Sequence, residues 1–117
     1  VNVISSAAPN LRQNPSNSMN SGDGYKRAEI SKENLLVLLE KRIHRILEIA
    51  ENKSNEVVIL GAFGCGAFCN PPDVVAKAMK NEVEKFRKSF KTIEFAVYCP
   101  PYDDTNYRVF KRVLETI

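Results

Sequence analysis

A short, uninterrupted apolar run leads directly into a glycine-rich turn in the second half of the chain. Val57–Leu60 is apolar at every position, which is typical of a central strand covered on both faces. The turn over 61–70 follows at once, and Pro71, Pro72 and Asp73 after it are typical of a helix start. The sequence therefore predicts a strand, a turn and a helix in succession, the unit from which parallel α/β sheets are built.

The rest of the chain continues this alternation. Val1 to Ala8 predicts a first strand, and Ser31 is placed to cap a helix from about Lys32 to Glu51. Thr92–Tyr98 predicts another strand, and a last helix begins near Thr105. The order β-α-β-α-β-α predicts a mostly parallel sheet with right-handed crossovers. The predicted buried helix positions are Leu35, Leu39, Ile43, Ile46, Leu47 and Ala50, then Val75, Ala78, Met79, Val83 and Phe86, then Tyr107, Phe110, Val113 and Leu114.

Length and composition limit the class of protein. The 117 residues suffice for one domain, and a strand at the first residue leads us to expect that 1–117 is a portion of a domain with further strands upstream. Residues 12–24 are rich in Asn, Ser, Pro and Gly, and a mobile polar loop is predicted over 12–30. The odd count of three cysteines favours a reducing, cytoplasmic setting. No apolar run approaches the roughly 20 residues of a membrane span, so we expect no membrane partner.

Charge and ligand counts argue against several partners. The 17 Lys and Arg residues are interleaved with 14 Asp and Glu residues, as in Lys26–Glu29 and Glu82–Lys85. That pattern is typical of solvated helix faces, and we expect no direct contact with nucleic acid. Three scattered cysteines and one histidine do not form the four-ligand set of a zinc site, so we expect no metal and no cofactor.

The turn over 61–70 has the composition of a phosphate-cradling loop. Gly61, Gly64 and Gly66 lie where a strand ends and a helix begins, the place where open α/β sheets bind ligands. Glycine permits positive φ and close approach, so successive backbone N–H groups can converge on an anion. A simple connecting turn is the alternative. No Gly-Lys-Ser/Thr follows to make a Walker loop, and the dinucleotide pattern fits only in part because Cys69 replaces its third glycine.

A family resemblance rests on this segment. The run Val57–Asp73 resembles the second phosphate loop of the microbial-type poly(ADP-ribose) glycohydrolase family, a branch of the macrodomain superfamily. Val1–Asn10 resembles the strand before the family's long helix, and Phe95–Tyr98, followed by Asn106 and Phe110, resembles its last strand and helix. The resemblance covers nearly the whole chain. It implies the C-terminal portion of a macrodomain-like domain, with part of a three-layer α/β/α fold.

The resemblance also implies a ligand and a site. The partner would be ADP-ribose or an ADP-ribosylated protein, with the loop around the diphosphate and Phe68 against the sugar next to the bond that is cut. Cys69 stands where the family usually has glycine, and Phe63 stands where many relatives have tryptophan. The expected ligand-binding residues are Gly61, Phe63, Gly64, Cys65, Gly66, Ala67, Phe68, Cys69 and Asn70.

The family's catalytic acids have no counterpart in the chain. Family hydrolases carry an upstream glycine-rich loop that ends in adjacent glutamates, whose carboxyl acid acts on the ribosyl bond. No Gln-Glu-Glu or Gly-Gly-Gly string occurs here, and Glu33, Glu40 and Glu48 have the spacing of a solvated helix face. The catalytic residues are therefore expected upstream of Val1. Two functions stay open, part of an ADP-ribosyl glycohydrolase and a non-catalytic ADP-ribose or nucleotide-binding module.

A thiol-regulated α/β protein using Cys65 is a further alternative, because a helix N-terminus can lower a thiol pKa. The phosphatase pattern fails, since Pro71 stands where an arginine is needed, and a buried, inert thiol is the simpler interpretation. His44 is expected on a solvated helix face, and Tyr98 and Tyr102 either stack on adenine or pack in the rim. The three predicted strands would be completed by self-association or by an upstream segment.

Overall fold

A computed structural model describes residues 1–16 and 24–117, in which three helices alternate with two strands. The strands pair in parallel, with Val57 opposite Thr92 and Leu60 opposite Phe95. The predicted α/β class with a parallel sheet is confirmed. The elements are α1 (Lys32–Asn52), β1 (Val57–Leu60), α2 (Pro72–Lys85), β2 (Thr92–Phe95) and α3 (Thr105–Leu114).

Local signals explain the bounds of the first helix. The Ser31 side chain accepts a hydrogen bond from the backbone N–H of Asn34, so α1 begins where its cap predicts. At the other end Ser54 adopts a φ of 57°, and its N–H donates to the carbonyl of Glu51 at 2.9 Å. A left-handed residue just past a helix pairs otherwise unsatisfied carbonyls and reverses the chain, which sends it into β1.

All three helices contribute to one hydrophobic core. Val58 and Leu60 of β1 enter this core, and Phe110 of α3 is fully buried in it. Four predicted core positions differ, because Ile46, Val113 and Leu114 are only partly buried and Tyr107 is exposed. The buried helix residues are Leu35, Leu39, Ile43, Leu47 and Ala50 of α1, and Val74, Val75, Ala76, Ala78, Met79 and Val83 of α2.

The predicted opening strand does not form. Residues 1–8 pair with no other strand in the described part of the chain. Side chains hold them instead, since Asn2 donates to Asn55 at 2.9 Å and Arg42 donates to the Ala7 carbonyl at 2.9 Å. A strand needs a ladder of backbone hydrogen bonds. Without that ladder the segment lies as an extended coil.

The second face of β1 is open, which contradicts the prediction of cover on both faces. Val57 is 48% exposed and Ile59 is 65% exposed, and they line a groove of about 840 Å³. The extended segment and α1 form its other walls, through residues such as Val3 and Ile46. The described residues therefore give only part of a three-layer α/β/α arrangement.

Other expectations have mixed outcomes. The strand predicted over Thr92–Tyr98 ends at Phe95. The predicted polar loop over 12–30 has no helix or strand at 12–16 or 24–30, and its centre, 17–23, lies outside the described residues.

Glu82, placed on a solvated face by the charge pattern, is buried instead. Over the described ranges, no helix is long and apolar enough to cross a bilayer.

Candidate phosphate-binding loop

The glycine-rich loop runs from Gly61, at the end of β1, to Asn70, just before α2. It is folded on itself by short-range backbone hydrogen bonds, which make a succession of tight turns. A loop of this kind holds its shape without secondary structure. The bonds run from Phe63 to Gly61 at 2.9 Å, from Cys65 to Ala62 at 3.1 Å, from Cys69 to Gly66 at 3.0 Å and from Asn70 to Gly64 at 2.9 Å.

Three successive backbone N–H groups of the loop are left unpaired. Those of Gly66, Ala67 and Phe68 have no acceptor within the described part of the chain. Gly66 and Ala67 are exposed and Phe68 is half-buried, so these donors are open to water or to a ligand. Consecutive unpaired amides in a turn form a concave, partly positive surface that suits an anion.

The start of α2 contributes less to anion binding than its position predicts. Pro71 and Pro72 open the helix and have no N–H to offer. Asp73 then places a carboxylate in the first turn, and Lys32 lies 3.5 Å from it in an exposed ion pair. The donors for an anion therefore come from the loop itself.

The three glycines of the loop have different reasons to be glycine. Gly64 has a φ of 75°, and a Cβ there would lie 2.5 Å from the Cβ of Ala8 and 2.6 Å from Nδ2 of Asn70. Gly66 has an ordinary φ and open space around the position of a Cβ. The fold itself therefore excludes a side chain at Gly64 but not at Gly66. At Gly61 a Cβ would make only an ordinary contact, at 3.7 Å from the Ala96 carbonyl.

Cys69 adopts a φ of 57°, in the left-handed region where glycine is favoured. This backbone conformation gives a physical reason for the glycine found here in the family that the loop resembles. The cysteine keeps the same turn, with its N–H bonded to Gly66 and its side chain exposed. Cysteine in place of glycine at position 69 therefore adds backbone strain but keeps the turn.

Cys69→Gly is expected to stabilise the protein by about 1 kcal/mol, because a Cβ in the left-handed region costs roughly that much. The melting temperature should rise by roughly 4 °C for a domain of this size. Ser54→Gly is a matched variant, since Ser54 has the same φ of 57° but lies at the end of α1. Both variants should raise the melting temperature in calorimetry, and a fall for Cys69→Gly alone would show that its side chain stabilises the loop.

Side chains of the loop divide between the core and the surface. Phe63 and Cys65 pack partly buried against the core, and the backbone N–H groups of both are paired within the loop. Phe68 lies beneath the Arg12 guanidinium, whose central carbon is 5.4 Å from the ring centroid. The carbonyl of Phe68 accepts from the N–H of Leu11 at 2.9 Å. Arg12 was not among the predicted site residues, because it is 56 positions away in a polar segment without a motif.

Burial controls the chemistry of Cys65. Removal from water, with a smaller effect from the nearby charge of Asp73, raises the pKa of the Cys65 thiol to about 12. A reactive cysteine needs the opposite shift. This finding counts against a thiol-regulated function through Cys65.

Cys65 is expected to react slowly with a thiol reagent while the two exposed cysteines react quickly. With a pKa near 12, only about one thiol in ten thousand is ionised at pH 8. Titration of the native protein should therefore count the equivalent of Cys69 and Cys99, and the third thiol should appear only in denaturant. Cys65→Ser identifies the slow thiol, and fast modification of Cys65 at neutral pH would contradict the assignment.

The side chain of Asn70 is buried beneath the loop and is 2% exposed. Its Nδ2 donates to the carbonyl of Pro9 at 2.7 Å and to that of Gly64 at 3.0 Å. The opening segment and the loop are thus joined through one amide.

The neighbouring end of β2 places further groups at the same edge of the sheet. Tyr98 and Tyr102 are highly exposed, so ordinary packing does not account for either ring. Hydrogen bonds from the Thr105 side chain and backbone lower the pKa of Asp103, which favours its ionised form. A general acid needs a raised pKa, so this shift does not suit Asp103 for that role.

His44 lies away from the loop and joins two helices. Its Nδ1 is 2.8 Å from Oε2 of the buried Glu82, and Lys85 lies 2.7 Å from the other oxygen of that carboxylate. The ring also meets Phe86 edge-on, with centroids 5.1 Å apart. His44 is half-exposed and carries an interhelical contact, which sequence spacing alone did not indicate.

Comparison with solved structures finds glycohydrolases that are similar to this chain in fold and sequence. The chain aligns with the poly(ADP-ribose) glycohydrolase of Deinococcus radiodurans crystallised with ADP-ribose, at 31% identity and a TM-score of 0.66, over 72% of this chain and 34% of that one. The chain is therefore similar, in sequence and fold, to a fragment of a poly(ADP-ribose) glycohydrolase. The ligand-free crystal structure of the same bacterial enzyme matches at 31% identity and a TM-score of 0.65, over 72% of this chain and 35% of that one.

The aligned part of the chain spans about a third, 34%, of the length of these glycohydrolases. No family model and no curated protein matches the sequence. The resemblance that rests on Val57–Asp73 is thus supported by an independent match of fold and sequence to a glycohydrolase.

Proposed function

We propose that the chain binds ADP-ribose as part of a poly(ADP-ribose) glycohydrolase-like hydrolase, with the loop over 61–70 holding the diphosphate. The observation that carries the proposal is the run of unpaired N–H groups at Gly66, Ala67 and Phe68. These donors lie where parallel strands end, and a diphosphate has oxygens enough to accept from all of them. The related glycohydrolase was crystallised with ADP-ribose, which supports the same ligand class.

Aromatic groups near the loop suit the two ends of such a ligand. Phe68, backed by Arg12, is half-buried next to the free amides and would pack against the distal ribose. Tyr98, an exposed ring beyond the end of β2, would stack on adenine. The expected contacts of Phe63 and Cys65 would be made by their partly exposed side chains, because their backbone N–H groups are already paired within the loop.

Hydrolysis would need an acid that the described residues do not position at the loop. Asp73 is exposed and paired with Lys32, and Asp103 is held in its ionised form. We propose that the acid comes from a segment upstream of Val1, as the family resemblance implies. A non-catalytic ADP-ribose-binding module is the second candidate, because the free amides of the loop need no acid to bind a diphosphate.

Calorimetry with ADP-ribose and AMP tests the binding function. ADP-ribose should bind at least about tenfold more tightly than AMP, a difference of 1.4 kcal/mol, because only the diphosphate and distal ribose reach the loop amides. Pyrophosphate should compete with ADP-ribose for the same donors. Equal affinities for the two nucleotides, with no competition by pyrophosphate, would reject the loop as the diphosphate site.

Release of ADP-ribose from a modified protein separates the two candidates. The 117-residue chain alone should release none, while a longer protein that includes an upstream acid should release it. Binding without release in both would favour the non-catalytic module.

A further inference from the structure

Asn70 is the buried polar residue on which the loop rests. Its amide nitrogen uses both hydrogens, one on the carbonyl of Pro9 at 2.7 Å and one on that of Gly64 at 3.0 Å. Its backbone N–H donates to the same Gly64 carbonyl at 2.9 Å. A single residue thus holds the centre of the loop and ties it to a segment 61 positions earlier.

The amide also fills the space that the glycine leaves empty. A Cβ on Gly64 would come within 2.6 Å of Nδ2 of Asn70, so the two residues fit only because one has no side chain. Two carbonyls converge on one NH₂ group, and an unpaired buried carbonyl is unfavourable. Among side chains of this size, only asparagine offers two donors without a charge.

We infer that Asn70 is a positioning residue, which acts through Gly64 to hold the free amides of Gly66–Phe68 in a binding shape. This inference rests on the proposed function. It differs from the expectation that Asn70 touches the ligand, because both side-chain donors are used inside the protein and the unpaired Oδ1 is buried. A second hydrogen bond, from the Leu11 N–H to the Phe68 carbonyl at 2.9 Å, holds the other end of the segment that carries the free amides.

Asn70→Ala and a matched control test the inference. Asn55 also donates from Nδ2 to a backbone carbonyl, that of Ala50 at 3.0 Å, but it precedes β1, at the opposite end of the strand from the loop. Asn70→Ala should weaken ADP-ribose binding at least about tenfold, a loss of 1.4 kcal/mol, at a temperature where the variant is folded. Asn55→Ala should change affinity less than about twofold, whatever its effect on the melting temperature.

Asn70→Asp provides a pH signature that a general loss of stability would not give. The ionised carboxylate cannot donate to either carbonyl, whereas the protonated acid donates one hydrogen bond. Burial favours the protonated form, so affinity of this variant should recover as the pH is lowered. The unmodified protein should show no such gain over the same range.

Hydrogen exchange separates failure of this inference from failure of the proposed function. In the ligand-free protein, Asn70→Ala should speed exchange of the Leu11 and Cys69 amides, whose acceptors lie on the loop, and Asn55→Ala should not. Faster exchange in a protein that never bound ADP-ribose would reject the function and keep the positioning role. Unchanged exchange in Asn70→Ala, or affinity equal to that of the unmodified protein, would overturn the inference.

Discussion

Gly66→Val should leave the protein folded and weaken ADP-ribose binding at least about tenfold, equivalent to 1.4 kcal/mol. Gly66 has an ordinary φ and nothing within 4 Å of the position of a Cβ, so the fold leaves room for a side chain to begin there. The branched side chain would project from the run of free amides and keep a diphosphate away from them. Calorimetry with ADP-ribose and thermal unfolding on the same sample measure both parts of the prediction.

Gly64→Ala is the opposing control, because even a single methyl group at this position should destabilise the fold. It would overlap Ala8 and Asn70, at 2.5 and 2.6 Å, and would add strain at a φ of 75°. We expect a loss of about 2 kcal/mol of unfolding free energy, seen as a melting temperature lower by roughly 8 °C. A folded Gly66→Val that binds normally would show that the loop is only a connector between β1 and α2.

The placement of the loop follows from its sequence because the signals are local. The apolar run Val57–Leu60 forms β1, and Pro72 at the first helical turn begins α2. Ser31 caps α1 as its side chain predicts, since a cap depends on the next three residues alone. Each of these features needs only neighbouring residues, so the sequence contains enough information to predict them.

Contacts between distant segments are what the sequence does not reveal. The amide of Asn70 meets Pro9 across 61 positions, and nothing near either residue indicates that they join. The prediction that Glu82 is solvated fails for the same reason. Its buried carboxylate is paired with His44 from another helix, and with Lys85 one turn further along α2. Positive φ at Cys69 is likewise hidden, since its residue type does not favour the left-handed region.

The predicted opening strand does not form because it lacks a partner strand, although its residues favour β structure. Val1–Ile4 has the β-branched composition of a strand and lies beside β1 along the same groove. It lacks backbone partners among the described residues, and a single unpaired strand has no hydrogen-bond ladder to stabilise it. Propensity predicts which residues can form a strand, while the sheet around them decides whether they do.

In isolation the 117-residue chain is expected to self-associate through the groove beside β1. A two-stranded sheet is marginal on its own, and β1 presents a free edge with apolar Val57 and Ile59 exposed. In longer proteins of the family, of which this chain spans about a third, we propose that a further strand of the same domain covers this surface. Light scattering after size-exclusion chromatography over a range of concentrations measures the expected association.

The double variant Val57→Thr/Ile59→Thr should shift the chain toward monomer, because threonine keeps strand propensity and removes apolar surface. Val37→Thr is the matched control, since Val37 is 65% exposed like Ile59 but lies on α1, outside the groove. If association depends on β1, the control should associate like the unmodified chain. A monomeric chain with ordinary stability would show that the open face of β1 needs no partner, and equal dissociation by both variants would place the contact elsewhere.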